Sequence, residues 1–305
     1  DGSAYGAITT GYGFWGPPEL ETDNIPDTGD ERPVTGRPTG HDSTYHMAAM
    51  ARLARFTPDS LPMLEAAAKA LNWALERNQW GPMHWGAVLD LYEVTGDEQY
   101  AEVAKEYKVA IGLDTIELVE QYDALFGLDH SADIRATLVE AADRLLSLAD
   151  NPFGVVTNGP AENPNFFGTP ADQGGWHVGT SSMLLEAATT AAKAWRYTGD
   201  PRYLAFVYDQ FNWTLGNNPY DLCLMEGVGD KHAPSYHHRY TFAGVARGAV
   251  PGGVVNGITW RAPGDDRPSF DMRGLDVPAF ESNEVWLPHN THYLNALANV
   301  MKGKE

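Results

Sequence analysis

Two stretches decide the fold: "LYEVTGDEQYAEVAKEY" at 91–107 and "AWRYTGDPRYLAFVYDQ" at 194–210. Each reads as the end of one helix, a Thr-Gly-Asp turn, and a second helix with a Tyr at the same offset, Tyr100 and Tyr203. The glycine supplies a left-handed turn residue, and the Asp, or the Pro after it, starts the next helix. A helical hairpin with one apolar face can bury that face only against a neighbour. Repeated hairpins therefore stack on one another.

Working outward, helical spacing continues on both sides. "HDSTYHMAAMARLARF" carries Met47, Met50, Leu53 and Ala54 on one stripe, and "SLPMLEAAAKALNWALERN" follows with Ser60 as its cap. "PMHWGAVLDLYEVTGD", "DEQYAEVAKEYKVAIG", "DTIELVEQYDALFG" and "SADIRATLVEAADRLLSLAD" extend the series. "SSMLLEAATTAAKAWRYTGD", "PRYLAFVYDQFNWTLGNNP" and a final "THYLNALANVM" close it. The pattern predicts about nine helices, no strand block, and one all-α domain over residues 1–305, with its loops gathered on one side.

Composition excludes whole classes of partner. With 41 acidic against 21 basic side chains, the net charge of −20 repels phosphate backbones and anionic lipid, so no nucleic acid and no membrane partner is expected. No apolar run approaches the ~20 residues of a membrane span. Nine Trp and fourteen Tyr suit neutral rings such as sugars. The lone Cys223 removes any disulfide framework or cysteine-rich zinc site. The opening "DGSAYGAITT" has no Met, basic n-region or apolar h-region, so no signal peptide is in view.

Three loop regions interrupt the helices, at 1–40, 151–175 and 217–287, and the last is too long for an ordinary connection. It holds "HAPSYHHRY" at 232–240, where His237, His238 and Arg239 cluster without any helix or strand period to ask for them. Such a loop is either incidental surface or a site that holds a polar ligand by directed donors. Further on, "FESNEVWLPHNTHY" sets Glu284 among Asn283, Val285, Trp286 and Leu287. A carboxyl flanked by apolar bulk at a loop end suits a general acid.

These stretches together resemble glycoside hydrolase family 9, the inverting cellulase family with an (α/α)6 toroid. The likeness rests on "LGNNP", then "GVGDKHAPSYHHR", then "NEVWLPHNT", in order, with "WGPPE", "WGAVLDLYEVTGDEQY" and "YTGDPRY" alongside. It covers essentially the whole chain, as the C-terminal two-thirds of the family's catalytic domain. The resemblance implies that Glu284 protonates the glycosidic oxygen and that His237 and Arg239 hold sugar hydroxyls, with His238 in support. The rigid fork of an arginine suits that task. It also implies Trp15 as a sugar platform in its loop, and Trp85 near the cleft, although the helical spacing of Trp85 also suits the core. No cofactor is required by it; structural calcium occurs in some relatives, but no ligand spacing here indicates it. An extracellular or periplasmic location is expected on the same ground.

The chain also departs from the family pattern. Tyr236, Glu226, Trp286, His289 and Tyr12 stand where other residues are usual, and a Glu226 facing the cleft would favour a cationic amino sugar. Inversion needs a second carboxyl ~6.5–9.5 Å from the acid, to activate water. The family's "DAGD" base motif is absent; "IPDTGDERP", with Asp27 and Asp30, reads as an ordinary turn. About nine helices also fall short of a double ring of twelve, which would leave an apolar flank of more than a few hundred Å². The expectation is therefore an N-terminal segment or companion chain that completes the ring and brings the base. The expected activity is hydrolysis of β-1,4-linked glucan or its oligosaccharides. The alternatives are an exo-acting hydrolase releasing cellobiose or glucosamine, and a carbohydrate-binding protein without turnover.

Overall fold

The computed structural model of the protein describes residues 7–8, 20–23, 25, 27–31, 34–35, 40–77, 80–157, 167, 179–238, 251–260, 267–274 and 279–303. Ten helices run through them: α1 (Gly40–Ala54), α2 (Leu61–Leu75), α3 (Pro82–Thr95), α4 (Glu98–Glu106), α5 (Ile116–Phe126), α6 (Ser131–Ser147), α7 (Ser181–Thr198), α8 (Pro201–Leu215), α9 (Phe280–Asn283) and α10 (Leu287–Lys302). Two antiparallel pairs of two-residue strands complete the set. β1 (Ala7–Ile8) pairs with β2 (Val34–Thr35), and β3 (Thr259–Trp260) with β4 (Pro268–Ser269). None of the described helices is long and apolar enough to cross a membrane.

Nine of these helices are the ones the sequence predicts, and α9 is a single extra turn. The last helix starts at Leu287, four residues earlier than "THYLNALANVM" suggests. Trp286 is extended at its N-cap, and Pro288 lies in the first turn, where a missing N–H leaves no helical bond unmade. Ser60 does sit at the N-cap of α2, but its hydroxyl makes no capping bond.

The two Thr-Gly-Asp turns are near copies. Gly96 and Gly199 take φ of 65° and 66°, the left-handed region that a side chain disfavours. The Asp97 and Asp200 carboxylates accept from the backbone N–H of Gln99 at 3.1 Å and Arg202 at 2.9 Å, capping α4 and α8. The Thr95 and Thr198 hydroxyls each donate to the carbonyl four residues back, at 2.7 Å.

The chain forms two compact units, which divide between Ile134 and Arg135 for most of their length. In the first, α3 is the central helix. Its run from His84 to Leu91 is buried on every side, because α1, α2, α4 and α5 all pack against it. Within that apolar core Asp90 is buried and accepts from Arg52 Nε at 2.7 Å, Arg55 Nη1 at 3.1 Å and Gln121 Nε2 at 2.9 Å. In the second unit α7 plays the central part, with eleven of its residues buried. Its alanines at 187, 188, 191, 192 and 194 let α8 and α10 approach closely.

Candidate active site

The site is built in the second unit from backbone bridges rather than from regular strands. Met225 pairs with Val254, Val255 with Val285, and His237 with Glu284. Four short runs are thereby laid side by side, in the order 225, 254–255, 284–285 and 237, so the Glu284 run is flanked by the other two that matter to the site. On one flank the His237 N–H donates to the Asn283 carbonyl at 2.9 Å; on the other the Asn256 N–H donates to the Glu284 carbonyl at 2.7 Å. Bridge partners project their side chains to the same face of the pairing. His237 and Glu284, 47 positions apart by their numbers, are thus neighbours in space. Both are half-buried, which leaves each reachable from solvent. The His237 ring meets Phe280 edge-on at 6.1 Å, which limits its swing. His238 is half-buried beside it.

Behind these residues lies an uncharged hydrogen-bonded frame. Asn283, fully buried, donates from Nδ2 to the Ser235 carbonyl at 2.9 Å and to the Asp271 carbonyl at 3.1 Å. It therefore ties the histidine loop and the 267–274 segment to the residue next to Glu284. Asn256, 1% exposed, uses all four of its polar groups. Its Nδ2 donates to the Phe280 carbonyl at 2.7 Å, its N–H to Glu284, its carbonyl accepts from Ser181, and its Oδ1 lies 2.8 Å from His289 Nε2. Because the amide nitrogen is committed to Phe280, Oδ1 must accept, and the His289 proton sits on Nε2. Burial, with the charge of His292 behind it, pushes the His289 imidazole down to about 4, so it is neutral near pH 7.

Asp271 fixes the last wall. Its carboxylate accepts from Arg273 Nε and Nη2, both at 2.9 Å, and from the Ala279 N–H at 2.5 Å. The Arg273 guanidinium is the main reason its carboxyl is held down at about 2. The α9 turn also gives Glu281 and Ser282 to a cavity of about 360 Å³ that Trp260, Phe270, Asp271 and Arg273 help to line.

The other residues singled out in the sequence divide into two groups. Trp15, Arg239 and Tyr12 lie outside the described residues. Trp85 is not brought to the site: it is 1% exposed, donates from Nε1 to the Ala104 carbonyl at 3.0 Å, and packs on Tyr122 in the core of the first unit. A side chain so enclosed has no ring face to offer a sugar. Glu226 is likewise buried, at 7% exposure, so it presents no exposed charge for a cationic sugar. Asp30 is exposed, and its carboxylate holds its own loop, accepting from the Asp23 N–H at 2.8 Å and the Thr28 hydroxyl at 2.9 Å. That is the geometry of a turn. Among the described residues, no three or more His, Cys, Asp or Glu side chains are gathered as a metal site.

Asn256, Asn283 and Ser235 escape a reading of the sequence, since nothing marks a loop asparagine as a hub. The only local hint is that Asn283 directly precedes Glu284.

The chain is similar in structure to a glycoside hydrolase family 9 protein of Bacteroides ovatus, with 22% identity and a TM-score of 0.70 over 98% of this chain and 58% of that one. It is also similar to a metagenome-derived family 9 endoglucanase, with 20% identity and a TM-score of 0.66 over 99% and 58%. A thermostable endoglucanase from Alicyclobacillus acidocaldarius gives 21% and 0.66 over 99% and 61%. The chain thus spans about three-fifths of the length of these relatives, and shares their helical-hairpin toroid fold. No curated protein sequence matches it. The profile described as Glycosyl hydrolase family 9 matches residues 2–297, across both units, and the chain therefore belongs to that family.

Proposed function

We propose that this chain forms the larger part of an inverting glycoside hydrolase acting on β-1,4-linked glucan or its oligosaccharides. The observation that carries the reading is the pairing of His237 with Glu284, which sets a carboxyl and an imidazole on one face of a hydrogen-bonded frame. In the proposed reaction the protonated Glu284 carboxyl gives its proton to the glycosidic oxygen as the bond to the anomeric carbon breaks. A water molecule, deprotonated by a second carboxylate, attacks that carbon from the opposite side of the ring and inverts it. His237, with Arg239 and His238 from the same loop, holds hydroxyls of the sugar beside the scissile bond, and Trp15 stacks on a ring. The likeness to endoglucanases favours a glucan over other glycans. The second carboxylate is supplied by polypeptide outside these 305 residues, and action outside the cell suits a polymeric substrate.

Glu284→Gln tests the assignment in the protein expressed from its complete reading frame. The amide keeps the shape and loses the proton, so hydrolysis of cello-oligosaccharides falls by at least ~10²-fold while their binding is retained. Proton NMR of the first product should show inverted anomeric configuration. A variant that still hydrolyses at the parent rate would sink the assignment of the acid. A parent that binds and never hydrolyses would leave only a carbohydrate-binding protein.

A further inference from the structure

The bridges that build the site do not stop at Met225. Two residues before it Cys223 pairs with His232, and the Cys223 N–H donates to the Lys231 carbonyl at 2.8 Å. Among the described residues the order is therefore 232, 223–225, 254–255, 284–285 and 237, with His232 on one edge and His237 on the other. Laid flat, these runs would separate the two edges by four spacings of ~4.8 Å, or about 19 Å. The chain passes from His232 to His237 in five residues, which reach about 17 Å when fully extended. This segment bends at Pro234 and so reaches less. The array must therefore curl until its edges approach each other.

Tyr236 stands where those edges meet. It is 4% exposed, its hydroxyl lies 3.1 Å from His232 Nδ1, and its ring stacks on the His232 imidazole at 6.5 Å. Its neighbours are tied the other way, since Ser235 and His237 both bond to Asn283. Burial, with the charge of Glu226 behind it, raises the Tyr236 phenol well above its ordinary pKa, so it keeps its O–H near pH 7. A buried hydroxyl needs a partner. The imidazole supplies one in either state, because a neutral Nδ1 accepts and a protonated Nδ1 donates. We propose that Tyr236 is a positioning residue for His237: its hydroxyl closes the curled array against His232 and so fixes where His237 stands beside Glu284. His237 lies in the outermost of these runs, where a change of curl moves it most. The inference rests on the proposed role of His237 in holding sugar, and it adds the residue that sets its place.

Tyr236→Phe removes the hydroxyl and keeps the ring. In the protein expressed from its complete reading frame it should raise the KM for cellotetraose about tenfold and change kcat less than about threefold, because the lost hold acts on ground state and transition state alike. Tyr203→Phe is the control: it removes a similarly buried hydroxyl, bonded to Asp143 at 2.9 Å, and should leave KM unchanged. Matching kinetics in the two variants would reduce Tyr236 to a structural role and overturn the proposal. A double-mutant cycle reads the link to His237. On a His237→Ala background Tyr236→Phe should raise KM no further, since the residue it positions is gone. An equal penalty with and without His237 would also overturn it. A last arm needs no substrate. Tyr236→Phe should speed hydrogen exchange at the His237 amide at least ~10-fold, and Tyr203→Phe should not. An unchanged His237 amide sinks the inference even in a protein that cleaves glucan. Faster exchange in a protein that binds no glucan keeps the brace and removes only the reading of His237 as a sugar-holding residue.

Discussion

The two compact units each hold a buried polar hub, and the hubs are of opposite kinds. In the first unit Asp90 is a charge, drawing Arg52, Arg55 and Gln121 onto one carboxylate and pinning α1 and α5 to α3. In the second, Asn256 and Asn283 are neutral, and they join loop segments through carbonyls and amides. A buried carboxylate exerts a long field in a low dielectric, whereas an amide satisfied on all sides exerts little. The Asn256 and Asn283 amides therefore brace the Glu284 run without adding charge of their own, and the charged pair in the same frame, Asp271 with Arg273, is closed on itself at 2.9 Å.

This contrast can be broken experimentally, and the largest effect is expected at the charged hub. Asp90→Ala removes the buried acceptor shared by Arg52, Arg55 and Gln121, leaving Arg55 only its partly exposed partner Glu93 at 2.7 Å. The first unit should lose about 3–5 kcal/mol, seen as a fall in its denaturant midpoint with an unchanged slope. Because Arg52 is 47% exposed and can turn to water, the lower end of that range is expected. A loss below about 1 kcal/mol would mean that the ion pairs hold nothing together.

The neutral hub is instead vulnerable to acid. His289 titrates near 4 when folded and near 6.5 when unfolded, so the unfolded chain takes up the proton first as pH falls. Stability is complete above about 6.5, declines through the interval down to about 4, and levels off below it, by roughly 3 kcal/mol in all. His84 in the first unit is pushed in the same direction by burial, so the parent curve sums both groups. His289→Gln isolates one of them: its glutamine can still donate to Asn256, and its stability should change less with pH between 6.5 and 4 than the parent's. Parallel curves for the two proteins would rule this histidine out as the cause.

Asn283→Ala should cost about 2 kcal/mol, since it leaves the buried Ser235 carbonyl and the part-buried Asp271 carbonyl without their donor. The sharper readout is local. The His237 amide, bonded to the Asn283 carbonyl, should exchange its hydrogen at least tenfold faster, while amides in α3 should be unchanged. Equal effects on both would erase the distinction between the hubs. The smallest effects belong to the matched turns. Asp97→Ala and Asp200→Ala each remove one capping acceptor and should each cost about 1 kcal/mol. If the two differ by more than that, the turns are not the interchangeable local units that their geometry indicates.

Those turns also mark how far the sequence could be read. Gly96, Asp97, Gly199 and Asp200 specify their conformation through interactions spanning four residues or fewer, and that information lies along the chain. The nine long helices were legible for the same reason, since a 3.6-residue period is local. Glu284 and His237 were legible as candidates through their motifs, but their adjacency was not. The start of α10 at Leu287 was missed because Trp286 and Pro288 read equally well as loop until the N-cap is seen.

By itself, then, the sequence determined the helical hairpins, their turns, the acidic and aromatic character, and the family whose motifs the loops carry. Tertiary structure decided which of the marked residues are enclosed and which stand side by side. It buried Trp85 and Glu226, paired His237 with Glu284, and made hubs of Asn256 and Asn283. The physical reason is range. Helix periodicity and capping are settled within a few residues, while burial and the partners of a loop amide depend on segments tens of residues away that only folding brings together.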